Sequence, residues 1–132
     1  MPGGGVTLVN VAAKLKAEGS DSIAAGRAVL KKALEQPFLQ IMKNAGFNAD
    51  ALLAQVQAAK PGQGVDVAGS EAKLVDVKAK GVVDPTRVTK EAVQNAVSIA
   101  ATAITMGALV IDIPEKESPA PGGGGMGGGM GF

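Results

Sequence analysis

The segment that decides the fold reads Gly81-Val82-Val83-Asp84-Pro85-Thr86-Arg87-Val88-Thr89, and an apolar stripe follows it. Small or apolar residues recur at 92/93, 96/97, 99/100, 103/104 and 107/108, which predicts a helix of about five turns. Asp84 can cap the free N–H groups at the start of this helix, and proline is tolerated at the first helical position. We expect this to be the longest helix of the chain and the centre of its core.

Two segments of different composition follow this helix. The β-branched residues Val110, Ile111 and Ile113 stop at Pro114, which predicts a short strand at an exposed edge that needs a partner strand. From residue 115 the chain carries charges and prolines, followed by a run of glycine and methionine. Such a composition cannot offset the entropy lost on ordering. We therefore predict a domain over 1–114 and a flexible tail over 115–132.

N-terminal to this helix in the sequence, the residues from Gly64 predict a small β-hairpin. Residues 65–67 and 74–77 each alternate between apolar and polar side chains, and polar or small residues lie between them. In the first part of the chain the apolar spacing predicts three helices. The apolar residues are Leu8, Val11, Ala12 and Leu15 in the first helix; Leu30, Ala33, Leu34, Phe38, Ile41 and Met42 in the second; and Leu52, Leu53 and Val56 in the third.

Local signals define the ends of these helices. The first helix should close at 18–20, and Pro37 should kink the second helix or split it in two. Asn48 is the expected N-cap of the third helix, with Phe47 packing on Leu52. The predicted fold is mainly α, with about four helices, one small hairpin and a short C-terminal strand.

Composition excludes several classes of function. The 132 residues are 46% hydrophobic, and 13 basic against 12 acidic residues leave a net charge of +1. This balance gives no reason to expect nucleic acid or a membrane as a partner. The sequence contains no cysteine and no histidine, which excludes disulfides, a thiolate nucleophile and an imidazole base. The first residues lack the features of a signal peptide, and polar residues interrupt the uncharged segment after Glu91, so we expect a cytoplasmic protein.

Four features, in this order, resemble the last quarter of a group I (GroEL-type) chaperonin, the C-terminal part of its nucleotide-binding equatorial domain. These features are Pro2-Gly3-Gly4-Gly5-Val6 before a helix; Ala33-Leu34-Glu35-Gln36-Pro37 followed by Gln40-Ile41 and Asn44-Ala45-Gly46; Gly81 to Thr89 as quoted above; and a Gly-Gly-Met tail. The resemblance covers essentially the whole chain.

The resemblance implies an ATP-driven machine that assists protein folding and refolding. Chaperonin subunits of this type form a double-ring homo-oligomer, bind ATP or ADP with Mg²⁺, and act on unfolded polypeptides together with a co-chaperonin. The family's nucleotide contacts fall here on Gly4, on Asp66, Val67 and Ala68, and on Asp84.

The sequence also departs from the family. The hairpin reads Asp-Val-Ala where the family has Asn-Ala-Ala, and the segment from there to Gly81 is about two residues longer. The Gly-Asp-Gly-Thr-Thr phosphate loop, the catalytic aspartate, the Mg²⁺ ligands and two further domains have no counterpart. Met1 stands where the family chain runs on unbroken. We therefore expect a fragment, from a truncated gene, an internal start or a deliberate shortening, that lacks independent ATPase activity and has no catalytic residue of its own.

Structural roles compete with each of these functional assignments. Without the resemblance, the glycine triplet indicates a flexible N-terminus, Asp84 a helix cap, and Asp66 and Asp76 solvent-facing strand residues. Val67 and Ala68 can pack on an adenine face or simply cover a core. The alternative function is that of a small helical interaction or structural protein that binds no nucleotide.

Overall fold

The computed structural model describes residues 1–16, 18–19, 21–69 and 71–111. Within these residues it contains four helices and two strands. Their order is α1 (Val6–Lys14), α2 (Ser22–Asn44), α3 (Ala49–Ala58), β1 (Gln63–Asp66), β2 (Lys73–Asp76) and α4 (Thr86–Ile104). The prediction of a mainly α fold with one small hairpin is confirmed. The predicted tail over 115–132 lies outside the described residues.

The core lies between α1, α2 and α3, and Val77 closes it from the hairpin side. Phe38 at its centre is fully buried. The other members are Val6 and Val9 of α1, Leu39 and Met42 of α2, and Ala49, Leu52 and Val56 of α3. Each helix contributes residues spaced three or four apart, so one stripe of each faces its neighbours. In α1 the buried stripe is Val6, Val9 and Ala12, whereas the predicted Val11 is exposed.

Side-chain caps fix the starts of α2 and α3. The carboxylate of Asp21 accepts a hydrogen bond from the backbone N–H of Ala24 at 2.7 Å. Asn48 accepts one from the N–H of Ala51 at 3.2 Å, which confirms the predicted N-cap. Helix α1 ends at Lys14, earlier than the sequence predicts.

Pro37 does not split α2, which runs without a break from Ser22 to Asn44. Proline removes one backbone donor and leaves the carbonyl of Ala33 without its helical partner. Both Ala33 and Pro37 are exposed, so water can satisfy that carbonyl. The next residues, Phe38 and Leu39, are buried in the core and hold the second half of the helix in place.

The hairpin strands pair in antiparallel register, with Gln63 opposite Asp76 and Asp66 opposite Lys73. Gly64 is the residue that brings β1 against α1. A Cβ at this position would overlap the side chains of Val6 and Val77. Because glycine has no Cβ, the strand can lie directly on the buried start of α1.

The expectation that α4 is the longest helix and the centre of the core is wrong. Helix α2 has 23 residues and α4 has 19, and α4 contains no buried residue. Val88, Ile99 and Ile104 are exposed to 62%, 71% and 83%. The periodicity correctly indicates an apolar face. The described part of the chain does not supply a surface that covers it.

The short C-terminal strand does not form as far as Ile111. Leu109, Val110 and Ile111 are exposed and belong to no strand. Ile113, the last residue of the predicted strand, lies outside the described residues. A β-branched segment becomes a strand only when a neighbouring strand satisfies its backbone groups. The described residues place no such strand beside it.

Candidate functional site

The glycine triplet forms a tight turn into α1. Gly4 and Gly5 have φ values of +64° and +79°, in the left-handed region that glycine adopts without steric cost. The N–H of Val6 donates to the carbonyl of Gly3 at 3.2 Å and closes the turn. A Cβ on Gly5 would lie 2.9 Å from the backbone of Phe38. The turn is therefore a fixed part of the core, and the interpretation as a flexible N-terminus is wrong.

Residues 1–3 pair in antiparallel fashion with residues 82–84. The N–H of Gly3 donates to the carbonyl of Val82 at 3.0 Å, and the N–H of Asp84 donates to the carbonyl of Met1 at 3.1 Å. Pro2 and Val83 form the bridge between these bonds. We call this pairing the clasp. It joins two segments that lie about 80 residues apart in the sequence and puts Asp84 beside the glycine turn.

The carboxylate of Asp84 lies against the backbone of the buried residue Gly3. A Cβ on Gly3 would be 3.1 Å from the Asp84 Oδ1 atom and equally close to the carbonyl carbons of Val82 and Val83. Glycine at position 3 thus leaves the space that the carboxylate uses. Of the predicted site residues, Asp84 thus lies beside Gly3, the residue before Gly4, and Gly4 itself faces Val82.

Asp84 does not cap α4. The N-cap of this helix is Pro85, and no side chain caps it. The capping role expected from the sequence is therefore wrong. Asp84 is half-buried, and the described contacts of its carboxylate are those with the clasp. Within the described residues its side-chain oxygens accept no hydrogen bond, so their acceptor capacity is unused there.

Asp66 is the last residue of β1, and Val67 and Ala68 follow it. Val67 packs against the core, in agreement with a covering role, and Ala68 is exposed. Asp66 is half-buried and accepts a hydrogen bond from the N–H of Ala68 at 3.0 Å. Its second carboxylate oxygen lies 3.8 Å from the Nζ atom of Lys80. This ion pair links the hairpin to the turn that leads into the clasp.

Sequence reasoning missed two residues of this region. In the sequence Gly3 is only one member of the triplet, yet in the structure it is the glycine that lies beside the Asp84 carboxylate. Lys80 carried no signal, because a lysine in an exposed turn has no pattern that distinguishes it from other surface lysines. Only the folded arrangement shows that it faces Asp66.

Two further findings limit the chemistry of the described residues. Among them no group of three or more acidic side chains is placed to hold a metal ion. An open groove of about 440 Å³ lies between α1 and the segment before β1, with Lys14, Pro61 and Lys78 in its lining. Neither Gly4 nor Asp84 lines this groove. Pro2 of the clasp does line it, so the groove borders the clasp but includes neither of these two predicted site residues.

The comparison with protein families identifies the chain. The model of the TCP-1/cpn60 chaperonin family matches residues 1–114. The chain belongs to the TCP-1/cpn60 chaperonin family. The match includes the glycine turn, the hairpin, both sides of the clasp and α4.

Membership in this family gives the protein a chaperonin-related role. The family match agrees with the chaperonin resemblance of the sequence motifs. The matched residues include every residue that we assigned to the candidate site. Over the described ranges, none of this chaperonin's helices is long and apolar enough to cross a membrane.

Proposed function

We propose that this chain is the C-terminal part of the equatorial domain of a group I chaperonin, and that it serves an ATP-dependent machine for protein folding and refolding. The family match and the order of the four motifs support this assignment. The partners of such a machine are other chaperonin subunits in a double-ring homo-oligomer, unfolded polypeptides and a co-chaperonin. Its compartment is the cytoplasm.

The chain's part in this function is to hold the sugar and base of ATP or ADP. The observation that carries this proposal is the contact between Asp84 and Gly3, which places a carboxylate beside a glycine turn at a helix start. Backbone N–H groups at such a turn approach a ligand closely, and the α1 N-terminus favours negative charge. The Asp84 carboxylate would accept hydrogen bonds from the ribose hydroxyls.

The hairpin would contribute to the base end of the same site. Asp66 offers carboxylate oxygens, and Val67 and Ala68 offer small apolar surface next to it. These residues lie at the end of β1, whose Gly64 packs on Val6 at the start of α1. Strand β1 thus joins the hairpin to α1, the helix that follows the glycine turn.

Hydrolysis requires more than these residues provide. In phosphoryl transfer, Mg²⁺ neutralises charge that develops on the phosphate oxygens, and a carboxylate orients the attacking water. The chain has no counterpart of the family's phosphate loop or catalytic aspartate, and the described residues contain no acidic group of three. We therefore propose that the chain binds nucleotide weakly and does not turn it over.

Phosphate release and ligand-observed NMR together test this proposal. The purified chain is incubated with ATP and Mg²⁺, and binding is measured on the ATP resonances. We expect binding without phosphate release, and we expect the binding to disappear in Asp84→Ala. Asp50→Ala is the matched control, because Asp50 is an exposed carboxylate on α3. Phosphate release by the parent chain that is lost in Asp84→Ala would overturn the absence of turnover.

A second function is favoured by one observation. Helix α4 presents an apolar face without a buried residue, and no charged residue occurs from 92 to 111. Exposed apolar surfaces of this kind mark interaction sites. If the chain is instead a small helical interaction protein that binds no nucleotide, Asp84→Ala should keep its fold. Neither the unsubstituted chain nor Asp84→Ala would then bind ATP.

A further inference from the structure

Almost the whole of helix α4 is exposed. Within the described chain, Thr89 and Val93 are half-buried and the other residues of α4 are exposed. Monomeric proteins rarely leave a contiguous apolar surface of this length uncovered. The question is which surface fits this helix.

The composition of α4 does not stabilise an isolated helix. Eight of its 19 residues are β-branched, which lowers helix propensity. They are Thr86, Val88, Thr89, Val93, Val97, Ile99, Thr102 and Ile104. Among the described residues no side chain caps its start, and its last turn carries no basic residue. Because most helical stability in water comes from packing of the apolar face, α4 needs a surface that packs on it.

One side of α4 has the spacing of a helix-pairing surface. Val93, Val97, Ala100 and Ile104 follow one another at steps of four, three and four residues. Apolar residues at this spacing form the contact line between two paired helices. We call these four residues the seam. Val97 is 48% exposed and Ile104 is 83% exposed, so the seam is accessible to a partner.

The seam is complementary to itself when a second α4 runs in the opposite direction. Ile104 of one copy then lies opposite Val93 of the other copy. Val97 lies opposite Ala100, and the twofold axis repeats both pairs. A large residue thus meets a small one in the two central layers. A parallel pair would instead set Ile104 against Ile104 and Ala100 against Ala100, so that the layers would differ in width and pack poorly.

The charges of α4 favour the same direction. Arg87, Lys90 and Glu91 all lie near its start, and no charged residue occurs from 92 to 111. In the antiparallel register Lys90 of one copy lies beside residue 107 of the other, next to the free carbonyl groups at the end of the second helix. A cation is favourable at that end, and α4 has no basic residue of its own there. A parallel pair would bring the two Lys90 side chains together.

We infer that the chain forms a twofold symmetric dimer in which α4 packs antiparallel on α4 of a second copy through the seam. Residues 93–104 and the exposed Leu109, Val110 and Ile111 would bury on the order of 600 Å² on each copy, at the low end of specific interfaces. We therefore expect a dissociation constant of roughly 1–100 μM. The inference does not depend on nucleotide binding and is tested without nucleotide.

Sedimentation velocity of the 132-residue chain tests the dimer, from about 1 μM to about 1 mM, on both sides of that dissociation constant. The 13.1 kDa monomer should convert reversibly to a dimer. Ile104→Lys places a charge in the seam and should raise the dissociation constant by roughly tenfold or more. Ile99→Lys is the matched control, because Ile99 is also an exposed isoleucine of α4 but lies outside the seam. It should change the dissociation constant by no more than about twofold.

Engineered disulfides test the direction of the helices. The sequence contains no cysteine, so a Val93→Cys chain and an Ile104→Cys chain each carry one thiol. The two chains are oxidised separately and as a mixture. We expect a disulfide-linked dimer in the mixture alone, because the antiparallel register sets position 93 opposite position 104. Efficient linkage within either chain alone would overturn the antiparallel direction.

Three results of the sedimentation series would overturn the inference. The first is a chain that stays monomeric at about 1 mM, well above the expected dissociation constant. The second is growth into assemblies larger than a dimer, which a closed twofold contact does not allow. The third is equal weakening by Ile99→Lys and Ile104→Lys, which would show that any added charge on α4 has the same effect.

Discussion

Asp84 lies beside Gly3 across the clasp. The Asp84 Oδ1 atom lies 3.1 Å from the position that a Cβ on residue 3 would take, which is closer than an ordinary van der Waals contact. This contact depends on two segments from opposite ends of the described chain.

Gly3→Ala should therefore damage the site without unfolding the chain. The new methyl group would press on Asp84 Oδ1 and on the carbonyl carbons of Val82 and Val83. We expect the free energy of unfolding to fall by about 1–3 kcal/mol, the usual cost of overpacking. Urea unfolding followed by circular dichroism measures this loss. The control is Gly26→Ala, since a Cβ on Gly26 meets nothing within 4 Å in α2.

The control substitution should change the free energy of unfolding in the opposite direction. Alanine is a better helix former than glycine, so Gly26→Ala should stabilise the chain by about 0.5–1 kcal/mol. Destabilisation by both substitutions to the same extent would show that the clasp is not tightly packed around Gly3.

Gly64→Ala should be more damaging than Gly3→Ala. Its Cβ would overlap Val6 and Val77, two buried members of the core, and neither can move without opening a gap. We expect a loss of roughly 3 kcal/mol or more, at the upper end of overpacking. Thermal unfolding measures the change. A midpoint equal to that of the unsubstituted chain would contradict the position of β1 against α1.

Core and surface apolar residues should respond differently to truncation. Phe38→Ala removes a fully buried ring and should cost about 3–5 kcal/mol. Ile99→Ala, on the exposed face of α4, should change stability by less than about 0.5 kcal/mol. Denaturant unfolding of both variants gives the comparison. A large loss in Ile99→Ala would show that the face of α4 is covered in solution.

The contrast between α4 and the other helices shows what sequence periodicity can predict. Repeated apolar positions correctly indicated the helices and most of the buried residues of α2 and α3. The predicted Ala33 and Ile41 of α2 are exposed, however, and the buried Leu39 lies outside the predicted stripe. For α4 the same signal indicated an apolar face, but periodicity does not show which surface meets that face. Burial depends on tertiary contacts, and within the described residues these leave no residue of α4 buried.

The candidate site shows a similar limit. Glycines before a helix and an aspartate before a proline are visible in the sequence, and the family resemblance joined them through Gly4 and Asp84. The pairing of 1–3 with 82–84 is not predictable from either segment, because each is too short to show a strand pattern. The Asp66–Lys80 ion pair cannot be predicted from the sequence either, since it depends on the turn after β2.

Binding of ADP between Gly4 and Asp84 is tested most directly by a map of amide chemical shifts during titration of the chain with ADP. The expected result is a set of saturable shifts centred on the glycine turn and on residues 82–84, with a smaller set at 66–68, all of which disappear in Asp84→Ala while the Asp50→Ala control retains them. The contradicting result is the absence of saturable shifts, or shifts confined to α2 and α4 that Asp84→Ala leaves unchanged.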